Sequence, residues 1–153
     1  MWEQPTANFV SGKLVTCYKE SCDIYNDGIW TELVKTRVSR ILHSSVQTED
    51  QILLIGGYRT QSTEWIPLDG SPSQPGPFEV RHREEHCTIQ VSSDTIVVTG
   101  GRADATAAEN YVTEYQLTGD GAERVLSDMI TRRYAHACGH YLDADSQQVR
   151  KSW

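Results

Sequence analysis

Internal repetition is the feature of this sequence that most constrains its fold. The pattern Arg-x-x-His occurs three times, beginning at Arg40, Arg83 and Arg133. The first two occurrences are followed by an apolar run ending in Gly-Gly, at residues 51–57 and 95–101. A Thr-Glu-aromatic triplet then comes after each Gly-Gly pair, ending in Trp65 and in Tyr115. Landmarks that recur in one order indicate a repeat architecture.

The segments between these landmarks have the composition of short β-strands. Residues 52–55 and 96–99 are apolar runs rich in β-branched residues, too short for helices and closed by Gly-Gly. The segments before them, residues 43–47 and 87–91, each end in a polar turn signal. The sequence therefore predicts two hairpins whose second strands are buried on both faces.

A period of about 40–50 residues with four short strands per unit is typical of a β-propeller blade. The sequence resembles the kelch repeat, in which Gly-Gly ends the second strand and a Tyr or another aromatic marks the third. A Trp usually follows that Tyr, and this chain keeps the pair once, as Tyr25 and Trp30. The two later units have Trp65 and Tyr115 in the Tyr place and no Trp after either. We expect Trp30 and Trp65 in the blade cores.

The resemblance divides the chain into blades. It gives an N-terminal segment at 1–9, a partial blade at 10–39, full blades at 40–82 and 83–132, and a partial blade with a divergent C-terminus at 133–153. We therefore expect an all-β protein, an open arc of a kelch-type β-propeller with about two full four-stranded blades and two partial ones. Kelch propellers usually close with more blades, so the expectation is a piece of a longer protein. A closed homo-oligomer of arcs is the alternative.

Charge and hydropathy exclude several classes of partner. The chain of 153 residues has 14 basic and 21 acidic residues, for a net charge of −7. An acidic chain without a basic run is poorly suited to a phosphate backbone. No stretch approaches the ~18 apolar residues of a membrane span. We therefore expect neither nucleic acid nor membrane as a partner. The first residues lack a signal-peptide pattern, which favours the cytoplasm only weakly.

Four cysteines leave the redox state open: Cys17, Cys22, Cys87 and Cys138. Spacing alone cannot choose among the three pairings that four cysteines allow. The simplest interpretation is free and mostly buried thiols, because Cys behaves as a small hydrophobe. The alternative is a Cys17–Cys22 bridge, which would require an oxidising compartment.

The residues suited to catalysis or metal binding have structural explanations. Residues 82–86 match the zinc-peptidase pattern H-x-x-E-H, but in an extended chain the two histidines would lie about 13 Å apart. His86 also shares its repeat position with His43 and His136. The repeated arginines suit a hydrogen-bonded or ionic contact between blades, and the glycine pairs suit close-packed turns. No catalytic residue, cofactor or metal ligand is therefore predicted.

The loops are the predicted binding elements, because propellers bind through loops held on a rigid scaffold. The candidate partner-binding residues follow the two Gly-Gly pairs: Tyr58 and Arg59 after the first, Arg102 and Asp104 after the second. The kelch resemblance implies a non-catalytic adaptor or scaffold with one or more protein partners.

An enzyme is the alternative from a different class. Sugar-oxidising copper enzymes and sialic-acid isomerases are built on kelch propellers, so the chain could be a fragment of such a protein. The copper enzymes need a Tyr joined to a Cys near paired His ligands. This chain has Tyr111, Tyr115 and Cys138, but their spacing alone does not show that they meet.

Overall fold

The computed structural model describes residues 5–103, 107–142 and 149–152. All regular structure in these residues is β-strand, arranged as antiparallel sheets. The all-β prediction is confirmed. Within the same residues, no helix has the length and apolar character needed to cross a bilayer.

Three sheets and a hairpin follow one another along the chain, each with its strands in sequence order. The first sheet contains β1 (Thr6–Val10), β2 (Lys13–Asn26) and β3 (Ile29–Arg40). The second contains β4 (Ser44–Gln47), β5 (Gln51–Ile55), β6 (Ser62–Pro67) and β7 (Gln74–Glu79). The third contains β8 (Cys87–Gln90), β9 (Thr95–Thr99), β10 (Val112–Gln116) and β11 (Glu123–Val125). The hairpin consists of β12 (Gly139–Leu142) and β13 (Val149–Ser152).

The two predicted hairpins are confirmed, as β4 with β5 and β8 with β9. The second strand of the first hairpin is buried along both faces, as predicted, because it lies between two other sheets. Ile52 and Leu54 cluster with apolar residues of the first sheet. Leu53 and Ile55 cluster with apolar residues of the third. Each such side chain contributes about 1.5–3 kcal/mol when fully buried, so neighbouring sheets stabilise one another.

The two core tryptophan predictions have opposite outcomes. Trp65 packs against the cluster between the second and third sheets. Trp30 is 48% exposed, so its placement in a core is wrong. Side chains alternate along a strand, and Ile24 points into the cluster between the first and second sheets. The next residue, Tyr25, and its cross-strand partner Trp30 therefore lie on the opposite face of the first sheet.

Buried arginines connect each sheet to the next. Arg40 ends β3 and is 2% exposed. Its guanidinium donates to the carbonyl oxygens of Gly56 (3.1 Å) and Ser62 (2.6 Å) in the second sheet and pairs with Glu64 at 3.3 Å. Arg83, after the second sheet, donates in the same way to the carbonyl oxygen of Gly100 at 3.5 Å. For Arg40 and Arg83 the predicted recurring contact between neighbouring sheets is confirmed.

The second glycine of each pair lies against backbone that a side chain would displace. A Cβ on Gly101 would lie 2.8 Å from the carbonyl oxygen of Glu84 and 2.9 Å from the Cβ of His86. The φ angle of Gly101 is 95°, a conformation that residues with a Cβ rarely adopt. Its amide also donates to the carbonyl oxygen of Arg133 at 2.9 Å. Glycine at this position therefore allows the segments before and after the third sheet to approach it.

Replacing Gly101 with alanine should destabilise the protein much more than replacing Gly28. Both positions have positive φ, 95° and 88°, but nothing lies within 4 Å of a Cβ on Gly28. We expect a loss of about 1 kcal/mol for Gly28→Ala from backbone strain. For Gly101→Ala we expect about 2–4 kcal/mol, because steric overlap adds to that strain. Urea unfolding of the two variants measures the difference, and equal losses would contradict the close-packed role of Gly101.

Candidate protein-interaction site

The loop after the first Gly-Gly pair presents a stacked cation. Tyr58 is half-buried, and its amide donates to the carbonyl oxygen of Ile41 at 2.9 Å. Arg59 is exposed, and its guanidinium carbon lies 4.9 Å from the centre of the Tyr58 ring. A guanidinium held over an aromatic ring keeps its donors available to solvent or to a partner. The prediction that this loop contacts a partner stays a prediction, with geometry suited to it.

Arg102, predicted to contact a partner, is engaged inside the protein. It forms ion pairs at 2.9 Å with the carboxylates of both Glu84 and Glu85. Its guanidinium carbon also lies 5.3 Å from the centre of the Tyr134 ring, and its backbone pairs with that of Glu84. The arginine therefore ties the loop to the segment before the third sheet. Asp104, its companion in the prediction, lies outside the described residues.

The three repeat histidines line one cleft of about 440 Å³. The residue before each histidine has a left-handed conformation: φ is 57° at Leu42, 53° at Glu85 and 49° at Ala135. These residues form a backbone ladder, in which Glu85 donates to the carbonyl oxygen of Leu42 and Ala135 to that of Glu85, both at 2.9 Å. The repeated turn thus places His43, His86 and His136 side by side along the joined edges of successive sheets.

Each of these histidines contacts a hydroxyl group, and burial lowers the pKa of all three. Each Nε2 atom lies near a hydroxyl oxygen: His43 to Thr6 at 2.9 Å, His86 to Ser44 at 2.7 Å and His136 to Thr99 at 3.0 Å. Burial, reinforced by the Arg40 guanidinium, lowers the pKa of His43 to about 4. Burial, reinforced by Arg83, lowers the pKa of His86 to about 3. At neutral pH both side chains are therefore uncharged and bridge neighbouring sheets.

An exposed aromatic and acidic surface lies on the distal part of the β2–β3 hairpin. We call residues 21–34 the arm. Tyr25 and Trp30 pair across it with ring centroids 5.2 Å apart, and Ile29 beside them is 65% exposed. Asp23 and Glu32 pair directly across the same two strands. The arm contains acidic residues and no Lys or Arg.

Sequence reasoning missed this site because the Tyr and Trp spacing resembles a blade core. The signal that could have revealed it is the charge pattern. Three acidic residues surround the two aromatics, at positions 23, 27 and 32, which suits an exposed surface better than a core.

The expectation of free cysteines is wrong. Cys17 and Cys22 form a disulfide within β2, which was the alternative, and Cys87 is joined to Cys138. The second bridge links β8 to the segment before β12 across a separation of 51 residues. Such bridges persist in oxidising compartments and are rare in the cytosol, so they weigh against a cytoplasmic location. The Cys138 sulfur in a disulfide is also not available for the tyrosine linkage of the copper enzymes.

Acidification should destabilise the fold through the buried histidines. The unfolded chain protonates histidine near pH 6.5, well above the folded pKa of about 3 for His86. Between these values the unfolded state binds more protons, so stability is complete above about pH 6.5 and falls by up to about 1.4 kcal/mol per pH unit for each such histidine. Urea unfolding between about pH 7.5 and about pH 5 measures the slope.

The variant His86→Gln should reduce this pH dependence, because glutamine does not titrate, whereas His43 still contributes its own part. The matched control is His82→Gln, since His82 is exposed, and it should keep the wild-type slope. A full wild-type slope in the His86→Gln variant would contradict the role of His86.

The comparisons with known proteins concern the fold. No protein-family model and no curated protein matches the sequence. Solved structures do match, among them that of YjhT, with a TM-score of 0.71 and 10% sequence identity. The match covers 86% of this chain and 53% of YjhT, so the chain spans about half the length of that protein. At this identity the likeness shows a shared fold alone.

Proposed function

We propose that this chain is a segment of a kelch-type β-propeller that binds protein partners without a catalytic role. The second and third sheets support the propeller assignment. Both are four-stranded antiparallel meanders, and both receive an arginine on the carbonyl of the first glycine after their second strand. Repeated sheets joined by a repeated contact are what a propeller requires of its blades.

The exposed aromatic pair of the arm is the observation that carries the binding role. Tyr25 and Trp30 are 41% and 48% exposed, and aromatic residues are enriched at the centres of protein interfaces. The buried arginines and histidines of the repeats, in contrast, contact neighbouring sheets. Function therefore belongs to the surface, with the arm as the main contact.

The loop carrying Tyr58 and Arg59 is the second proposed contact. Its guanidinium is exposed and stacked, and arginine is frequent among the residues that dominate binding energy. Partner contact by Arg102 stays a prediction, and its two ion pairs support the fold. Reversing its charge would leave three carboxylates together and would test stability rather than binding.

Site-specific photo-crosslinking tests the proposed function. A photoreactive amino acid is placed at position 30, at position 59, or at the control position 49, which lies on an exposed turn at the opposite end of β5 from the Tyr58–Arg59 loop. Each purified protein is irradiated in a lysate, and the crosslinked proteins are identified by mass spectrometry. We expect defined proteins to crosslink at positions 30 and 59 and not at position 49.

Unlabelled protein added in excess should compete for these crosslinks, since a specific site is saturable. The variants Trp30→Ala and Arg59→Glu should compete less well than the wild type, whereas Glu49→Lys should compete equally. The absence of crosslinked proteins above the control at both test positions would overturn the binding role.

A further inference from the structure

We propose that the arm binds an extended basic segment of a partner protein, which adds as a strand along β3. This inference rests on the proposed protein-binding function and names the surface and the chemistry of the partner. The bound segment carries an apolar residue beside Trp30 and a Lys or Arg beside Glu32. Three features of the arm carry the proposal: an open strand edge, a pair of opposed carboxylates and an exposed aromatic pair.

The first feature is the free edge of β3. This strand pairs with β2 on one side. On its other side the second sheet reaches only its C-terminal part, where the Glu64 carboxylate accepts from the Arg37 amide and the Ser73 hydroxyl donates to the Lys35 carbonyl. Within the described part of the chain, residues 29–32 are exposed and have no backbone partner on that side, whereas the Leu33 carbonyl already lies near Gly70 of the second sheet. An open strand edge is a template for an added strand.

The second feature is a pair of carboxylates with no cation between them. Asp23 and Glu32 are directly opposite each other, and like charges in that position destabilise an antiparallel pair. Neither forms an ion pair with a basic side chain of the described residues. Covering them with an apolar surface would be costly, because buried charges need partners. The binding segment therefore has to supply a positive charge.

The third feature is the aromatic pair, which lies on the same face as the carboxylates. Trp30 and Glu32 are two positions apart on β3, so their side chains point the same way. A strand added beside β3 would place its own alternate side chains about 4.5–5.5 Å from them. One of these packs on the indole and the other meets the carboxylate. The partner segment therefore needs an apolar residue and a basic residue two positions apart, with one residue between them.

A second copy of the arm does not fit this surface. Residues 21–34 include acidic side chains and no basic ones. Two arms joined along β3 would bring their carboxylates together and increase the repulsion. Charge complementarity thus selects a basic partner.

Binding of synthetic peptides to the full 153-residue chain tests the inference. The parent peptide is a fluorescein-labelled strand-forming sequence with one Lys and one Val two positions apart, and fluorescence anisotropy reports its affinity. A second peptide replaces the Lys with Glu. Two further peptides carry backbone N-methyl groups on alternate residues. In one of them the methyl groups lie on the edge of the peptide strand that faces β3, and in the other they lie on the opposite edge.

We expect the parent peptide to bind and the Glu peptide to bind at least about tenfold more weakly. N-methylation on the edge that faces β3 should abolish binding, because it removes the donors to the strand, whereas methylation on the other edge should leave binding intact. Added salt should weaken binding of the parent peptide, since the interacting charges lie at the surface and are screened.

Matched variants of the protein test the same contacts from the other side. Glu32→Lys should bind the parent peptide more weakly and the Glu peptide more tightly than the wild type does. An unfolded variant could not show this reversal. Adding Trp30→Ala should weaken binding of the parent peptide to the wild type and of the Glu peptide to Glu32→Lys. Glu49→Lys, which makes the same charge change on a turn outside the arm, should bind as the wild type does.

The outcomes separate this inference from the proposed function. The strand-addition inference is overturned if N-methylation of the edge that faces β3 leaves the affinity of the peptide unchanged. It is also overturned if Glu32→Lys binds the parent peptide as tightly as the wild type does. Partners crosslinked at position 30 without any peptide binding overturn it as well, while the protein-binding function stands. A lack of crosslinked partners at positions 30 and 59 overturns the proposed function itself.

Discussion

The contact between a buried arginine and a Gly-Gly turn holds the sheets of this protein together. Arg40 lies at the end of the first sheet and Arg83 lies after the second. Each donates to the carbonyl oxygen of the first glycine in the Gly-Gly turn of the following sheet. The second glycine of the pair has backbone of another segment packed against it, at a distance that a Cβ atom would not allow, as at Gly101. The apolar faces of the second sheet can therefore pack on both neighbours at once. Without its neighbours each sheet would expose the residues that form the core.

The same repeated turn also explains the positions of the three histidines. The left-handed residue before each repeat histidine aligns His43, His86 and His136 along the joined edges, and burial lowers the pKa of all three. Groups that are buried and hydrogen-bonded between sheets serve the scaffold. The aromatics of the arm and the stacked Arg59 are instead exposed, and these are the surfaces that we propose for partner contact.

Features set by local pattern could be predicted from the sequence, and features set by long-range packing could not. The hairpins β4–β5 and β8–β9 follow from short apolar runs closed by turns. The Cys87–Cys138 bridge depends on how the chain returns after the whole third sheet, which spacing does not reveal. Trp30 matches a core pattern, but its exposure depends on which face of the first sheet is covered. The ion pairs of Arg102 could not be predicted either, because Glu84 and Glu85 precede the third sheet whereas the arginine follows its second strand.

Hydrogen exchange of the wild type and of Arg83→Lys tests most directly whether the arginine contact joins the sheets. Lysine keeps the positive charge but loses the planar fork that reaches the Gly100 carbonyl and Thr113. Amide protection in β5 and β9 should fall together, because these strands share the core between the second and third sheets. Wild-type protection in both strands, or a loss confined to the residues around position 83, would contradict this role of the arginine.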